Sequence, residues 1–314
     1  MTRATYCAIV VSFNGAKYLN RCIESLISCQ PRIDIVVIDN ASTDESVSIA
    51  RSYENVSVIP LDENLGFGAA NNVGIEYAYN TLKADYLLLI NQDAYINVAS
   101  WPNFLHLPPS VTSNLVGLMQ YGPDSNSFDF IFRKVYLSEA NCPGFTEDTF
   151  FGKQRNYYET HFLNAAAWVL PRKLVETTGG FSPAFFHYGE DNNFVHRIHH
   201  WGFKLFLAPK ISVVHDRNEP NRRLSKYFQS SEAKRREYVL KLAHPSCSLT
   251  WLGFSLEVLV LLAKDVLTLR LGKFSASTIA ISMLFDKTVS RAITSRKQSL
   301  RISSFLNLID EKTP

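Results

Sequence analysis

The sequence predicts an α/β protein in which a mostly parallel sheet is flanked by helices and followed by a helical C-terminal region. Three observations carry that prediction. Over the first hundred residues, continuous apolar runs of strand length alternate with segments of helical period, so the strands are joined by crossovers and the sheet is covered on both faces. Each of those runs ends in Asn, Asp or Ser or is followed by one within a few residues. Past Asp216 the chain turns basic and helix-prone.

Tyr6 to Ser12 is apolar and β-branched, the first strand. In FNGAKYLNRCIESLISC, Leu19, Cys22, Ile23, Leu26 and Ile27 recur on one helical face. IDIVVID is a second buried strand, and NASTDESVSIARSY follows it with an S-x-x-E pair, Ser42 and Glu45, expected to form a capping box. A short strand is expected near Val56 to Pro60, then a turn and helix in ENLGFGAANNVGIEYAYN. The fourth strand, DYLLLINQDAYI at residues 85–96, runs four apolar side chains into Asn91-Gln92-Asp93. Residues 97–160 mix Pro, Gly, aromatics and charges without a sustained period, and NAAAWVLPRKLVETTGGF reads as a strand and a short helix.

With 314 residues the chain can bury one good core and has material left for a second unit, and the composition shift divides it into 1–220 and 221–314. A net charge of +3 is too small to suggest nucleic-acid binding. Its distribution is uneven, because from Arg222 to Arg301 there are fifteen Lys and Arg against five Asp and Glu. Five cysteines, none in a C-x-x-C pair, read as buried thiols of a reduced compartment rather than disulfides. The early apolar run Ala8 to Phe13 is too short for a secretion signal, which predicts a cytoplasmic protein, at most peripheral at the inner membrane face.

In doubly wound sheets, ligands sit beyond the carboxyl ends of the strands. The polar residues fall there: Ser12 and Asn14, Asp39 and Asn40, Asp62 and Asn64, Asn91 and Asp93. Singly each is explained as a turn or a cap. All four strand ends together suit a ligand with several polar parts, such as a nucleotide. No G-x-x-x-x-G-K-[ST] loop is present and no G-x-G-x-x-G follows the first strand, so P-loop and dinucleotide readings are weak.

Five blocks, AIVVSFNGAKYLNRCIESL, IDIVVIDNASTDES, ENLGFGAANNVGIEYA, DYLLLINQDAYI and GGFSPAFFHYGEDNNFVHRIHHWGFKLFLAPKISVVHD, resemble in order and spacing those of family 2 glycosyltransferases. The resemblance spans residues 6–216 and is nearest to bacterial rhamnosyltransferase-type members that build surface polysaccharides. It implies a GT-A fold with a Rossmann-like sheet, a nucleoside-diphosphate sugar donor, a divalent metal, Mg²⁺ or Mn²⁺, and inversion at the anomeric carbon. Carried over residue by residue, it implies donor binding at Val11, Ser12, Asn14, Asp39, Asn64, Asn91 and Asp93. A pyrimidine donor, UDP- or dTDP-linked, suits a carboxylate at position 39, which accepts well from a base N3–H or a ribose hydroxyl. In the family a D-x-D ends the fourth strand; here Asn91-Gln92-Asp93 leaves Asp93 as the carboxylate for the metal, with His215 as its second ligand. The acidic pair Glu190-Asp191, followed six residues later by Arg197, supplies the catalytic acids, Asp191 as the base. Asn193 replaces a further acid found in relatives, which leaves the acceptor open. The acceptor implied is a saccharide, lipid-linked, on the pathway to a surface polysaccharide.

Four histidines between His187 and His200 lack H-E-x-x-H spacing, and zinc is the weaker reading. SLTWLGFSLEVLVLLAKDVLTLRLGKF predicts a long apolar helix with Thr250, Glu257, Lys264 and Thr268 on one narrow polar face. Such a helix flanked by Lys and Arg either lies in a membrane interface or packs as a core helix on the catalytic unit or a second subunit. Two alternatives to the enzyme stay open. One is a catalytically silent sugar-nucleotide or glycan-binding module of the same fold, favoured by the amide at Asn91. The other, a nucleotidyltransferase, would want a Gly-rich basic loop where SFNGAKYL offers only Lys17.

Overall fold

The computed structural model describes residues 4–216, 231–268 and 276–309. Part of the basic stretch, and residues 269–275 after the long apolar helix, lie outside them. β1 (Tyr6–Ser12), β2 (Asp34–Asp39), β3 (Val56–Pro60) and β4 (Tyr86–Asn91) alternate with α1 (Ala16–Ile27), α2 (Ser46–Arg51) and α3 (Phe67–Asn80). The four strands lie parallel in the order β3-β2-β1-β4. Their continuous apolar runs are explained by burial from both sides: alternate residues of β1 enter two separate cores, Cys7 and Ile9 one, Ala8 and Val10 the other. α1 buries Leu19, Cys22, Ile23 and Leu26 as its period requires, while Ile27 stands 42% exposed.

The second half of the sheet is mixed. β5 (Ala94–Ile96), β6 (Leu115–Tyr121), β7 (Tyr158–Glu159), β8 (Ala167–Pro171) and β9 (Leu205–His215) complete the order β4-β8-β6-β9-β5, with β7 on β9. β8 runs antiparallel to β4 and β6, and β5 antiparallel to β9. On β9, Pro209 to Ile211 have no partner on β6, and this bulge redirects the end of the strand. Short helices α4 (Pro109–Thr112) and α5 (Phe145–Phe150) interrupt the pattern-poor stretch, and α6 (Arg172–Thr178) and α7 (Glu190–His200) follow β8.

The expected capping box does not form. Ser42 instead accepts the Asn14 backbone N–H through its Oγ, and Asp44 accepts from Ser46 and Ala16, so the loops after β1 and β2 are laced together. All five cysteines are free thiols, four of them buried, and burial pushes Cys7 and Cys29 up to about 12.

Four helices, α8 (Ser231–Ala243), α9 (Trp251–Leu267), α10 (Ala276–Phe285) and α11 (Thr288–Ser299), gather around Val239, Leu242, Phe254, Val258, Met283 and Val289. Phe185 and the half-buried Ala184, from the segment before α7, also pack into this third core. The chain then returns. Residues 303–309 lie against α3 and α6: Gly180 donates to the Ser304 carbonyl, and the Asn307 N–H donates to Glu76 Oε1 at 2.8 Å. Gly179, with φ of +79°, is required there, since a Cβ would stand 1.9 Å from the Ser304 carbonyl oxygen.

Candidate active site

β1, β2 and β4 end side by side, Ser12 in register with Asp39 and Val11 with Asn91. Ser12 Oγ, Asp39 Oδ1 and Asn91 Oδ1 are buried and have no hydrogen-bond partner. Each such oxygen costs about 1–3 kcal/mol. Three on neighbouring strand ends mark a place where a polar ligand completes the bonding. The other oxygen of Asp39 accepts the Ser42 N–H at 3.0 Å, which fixes the carboxylate.

Asn14 and Asn64 do structural work at this edge. Asn14 sits at φ 49°, a left-handed conformation Asn tolerates, and its Oδ1 accepts from Thr43 N at 2.9 Å. Asn64 Oδ1 accepts from Asn40 Nδ2 and from the Gly66 N–H, both at 2.9 Å. These two residues hold the loops after β1, β2 and β3 in place. Gln92, the middle residue of the strand-ending triplet, accepts from Phe13 N at 2.9 Å and donates back to Phe13 O at 3.2 Å. A Cβ at Gly15 would stand 2.0 Å from Gln92 Oε1 and push that side chain off Phe13.

Asp93 and His215 meet because β5 pairs with β9, Ala94 opposite His215. Asp93 Oδ1 lies 3.4 Å from His215 Nε2. Behind the imidazole, Gln120 Nε2 donates to Asn164 Oδ1 at 2.9 Å, which leaves Gln120 Oε1 to accept from His215 Nδ1 at 3.2 Å. In that tautomer the Nε2 lone pair points at a carboxylate. The 3.4 Å spacing is long for a charge-assisted N–H···O bond of about 2.7–2.9 Å. An imidazole lone pair facing a carboxylate is a donor set that could hold a divalent cation. Among the described residues no group of three His, Cys, Asp or Glu could hold an ion alone.

The acidic pair opens α7. Gly189, at φ +95°, turns the chain into the helix, and Gly68 at the start of α3 makes room for Phe181, whose Cβ would stand 2.9 Å from an added Cβ, with Glu190 in ordinary contact beside it. The pair thus lies against the start of α3, next to the Asn64 loop. Glu190 is 6% exposed and its Oε2 has no partner. Burial, and then the charge of Asp191, lift its carboxyl to about 7. Asp191 is only partly covered by its neighbours, and Oδ1 accepts the Asn192 N–H at 2.7 Å. Burial raises it to about 6 against that bond and the field of Arg236. Arg236, from α8, and Gln120 are functional candidates that sequence reasoning missed. A polar residue in the apolar run LVGLMQY was the available signal for Gln120. Nothing distinguished Arg236 within KRRE.

Arg197 is not part of the ligand edge. Fully buried, it donates to the Thr178 carbonyl at 3.0 Å, to Ser304 Oγ at 3.1 Å and to the Gly180 carbonyl, and it stacks on Phe194 and Phe305. The histidines of α7 do not assemble: His196 stacks on His244, with burial as the main cause holding it down at about 4, and His199 and His200 are exposed.

The mixed sheet flanked by helices, with polar residues ending β1, β2 and β4, is a GT-A scaffold. The chain belongs to glycosyl transferase family 2, whose profile matches residues 7–179. Glu190, Asp191 and His215 lie beyond that match. Among curated proteins, it is 21% identical over 199 residues to the low-salt glycan biosynthesis hexosyltransferase Agl10 of Haloferax volcanii, covering 62% of this chain and 63% of the relative. It is 24% identical over 223 residues to the rhamnosyltransferase WbbL of Escherichia coli K12, covering 68% of this chain and 84% of the relative. The chain spans 63% of Agl10 and 26% or less of GlyA, ExoU and EpsH, three further relatives. In fold it resembles the mannosyltransferase PcManGT of Pyrobaculum calidifontis in complex with GDP-Man and Mn²⁺, TM-score 0.52 at 17% identity, over 95% of this chain and 74% of that one. It also resembles residues 1–349 of S. aureus TarS in complex with UDP-GlcNAc, TM-score 0.51 at 15% identity, over 95% and 82%. The GT-A fold expected from the sequence is the one observed.

Proposed function

We propose that the protein is an inverting, metal-dependent glycosyltransferase that moves a sugar from a pyrimidine nucleoside diphosphate to a saccharide hydroxyl in surface-polysaccharide synthesis. The observation that carries this reading is the row of partnerless buried oxygens on Ser12, Asp39 and Asn91 beside the Asp93–His215 pair. Asp39 and Ser12 bind the base and ribose from β2 and β1, with the backbone at Val11 completing the pocket. Asn91 takes a ribose hydroxyl without adding charge. Asn14 and Asn64 act on the donor through the loops they brace. Asp93 and His215 hold Mg²⁺ or Mn²⁺, which when bound neutralises charge developing on the leaving diphosphate.

Asp191 removes the proton of the acceptor hydroxyl as its oxygen bonds to the sugar's anomeric carbon and the carbon–oxygen bond to the diphosphate breaks. A carboxyl near pKa 6 is ionised at neutral pH yet basic enough to take that proton. Glu190 positions it. A silent binding module is favoured by the amide at Asn91, but such a module has no use for two acids kept in a burying environment. The acceptor is a lipid-linked saccharide presented at the inner membrane face, and dTDP-rhamnose is the leading donor.

Titrating UDP-, dTDP- and GDP-sugars with and without Mn²⁺ tests the reading. Mn²⁺-dependent binding of the pyrimidine donors is expected, and binding of GDP-sugars alone would overturn it.

A further inference from the structure

α9 has two apolar faces. Phe254 and Val258 point into the core of the helical unit, where Tyr238 meets Phe254 edge-on. At about 100° per residue, Leu252, Leu256, Leu259, Val260, Ala263, Val266 and Leu267 fall within one arc of roughly 120° on the other side. None is needed by that core. Leu252 is 65% exposed, Leu256 56%, Leu259 60%, Val260 69%, Val266 50% and Leu267 84%. Six large apolar side chains at half exposure or more, in one stripe, make a contiguous apolar surface of the kind that marks a protein or membrane contact. Trp251 at the start of the helix and Phe285 at the end of α10 add 49% and 84% exposed rings.

We propose that this arc of α9 inserts into the interfacial layer of an anionic lipid bilayer and holds the catalytic unit at the membrane surface. Charge argues for lipid. Residues 231–268 and 276–309 carry ten Lys and Arg against five Asp and Glu. Two of those acids each pair with one of the cations, Asp286 with Arg235 and Glu257 with Lys241, so the excess of positive charge stands. Lys264, beside the arc, is exposed and long enough to keep its ammonium among headgroups while its stem follows the apolar face. A seam between two copies would be bordered by charged residues on both flanks. Here one flank is Ser255, Leu262 and Trp251. Breadth of the apolar face, a terminal Trp and a cationic edge describe a helix lying in an interface. Among the described residues no helix is long and apolar enough to cross a membrane. The inference deepens the reading of the acceptor as lipid-linked, but it stands on the surface of α9 and is tested without substrate.

The test is co-sedimentation of the full chain with phosphatidylcholine vesicles and with vesicles containing 30% phosphatidylglycerol, at low and high salt. Binding to the anionic vesicles is expected, weakened by salt through the cationic edge. Leu256→Ser with Leu259→Ser should lower the partition coefficient at least tenfold while the melting temperature and sugar-nucleotide binding stay at wild-type values. Lys264→Ala should lower it less. Wild-type protein left in the supernatant with anionic vesicles would overturn the proposal. So would a concentration-dependent dimer that the double variant dissociates and lipid does not affect. Loss of donor binding in the wild type would count against the transferase reading alone.

Discussion

Glu190→Gln should make the protein more stable at pH 8 and leave it unchanged near pH 4. The carboxyl titrates near 7 in the folded chain against 4.5 in a free peptide, with burial the larger cause and the Asp191 charge the second. A raised carboxylate means that the folded state keeps its proton to higher pH than the unfolded state. Between about pH 4.5 and 7 the native protein therefore binds more protons, and stability falls as pH rises. The cost is complete above pH 7. At about 1.4 kcal/mol per pH unit it reaches about 3 kcal/mol. Glutamine keeps the shape and carries no charge, so it removes that cost. Urea unfolding of both proteins at pH 4, 6 and 8 measures the difference, which should grow from near zero to about 3 kcal/mol. A constant difference across that range, or a variant weaker than wild type at pH 8, would mean that the Glu190 carboxylate is solvated or paired and that the burial argument fails. Activity should move the other way, because the acid is retained at the expense of stability.

Asp191→Asn should cut turnover by about 10²–10⁴-fold with donor affinity unchanged, and the wild-type kcat/KM should rise with pH through about 6 as the base loses its proton; equal single-turnover rates for the two proteins would place the base elsewhere. Asp93→Ala should abolish Mn²⁺-dependent donor binding in titration calorimetry, whereas Gln120→Leu, which frees the imidazole to turn, should weaken it about 10- to 100-fold, with His215→Ala between them. Wild-type Mn²⁺ affinity in the Gln120 variant would make the Gln120–Asn164 pair a matter of packing only. Ending the chain after Leu300 strips Ser304 from Arg197 and the backbone partners from Glu76 and Asn80, and should cost about 3 kcal/mol or more in urea unfolding; an unchanged midpoint would show the tail to be an ornament.

What was legible in the sequence follows from how each element is buried. β1 to β4 are covered on both faces, so they are written as unbroken apolar runs, and their polar ends stand out against that background. β6 has the same character, but LVGLMQY lies in a stretch broken by Pro and Gly, and the role of Gln120 depends on a histidine 95 positions away. The capping box failed because the Ser42 hydroxyl is worth more as a brace across to Asn14 than as a local cap. The returning tail was invisible for a similar reason. Asn72, Glu76 and Asn80, at intervals of four on α3, look like a solvated stripe, yet each bonds the backbone of residues 305–309. Periodicity reports which face is polar and not whether water or peptide satisfies it.

The amide at position 91 follows from the charge balance of the edge. On the proposed reading, Asp39, Asp93, Glu190 and Asp191 are four carboxyl groups already assigned to a site that would receive a diphosphate. A further carboxylate at 91, buried beside Val11 and two residues from Asp93, would have no cation of the protein's own near it among the contacts described. Like charges and burial would push its proton affinity up, and it would repel the ligand it is meant to hold. Asparagine offers the same acceptor oxygen at no electrostatic cost. On the same reading the cation would take its second protein donor from a neutral group, His215, which the β5–β9 pairing brings opposite Ala94 and Gln120 orients. Substituting an amide for the first acid of the triplet and supplying an imidazole from the last strand are two halves of one solution. Read together, they make the departure at Asn91 compatible with catalysis rather than a mark of its loss.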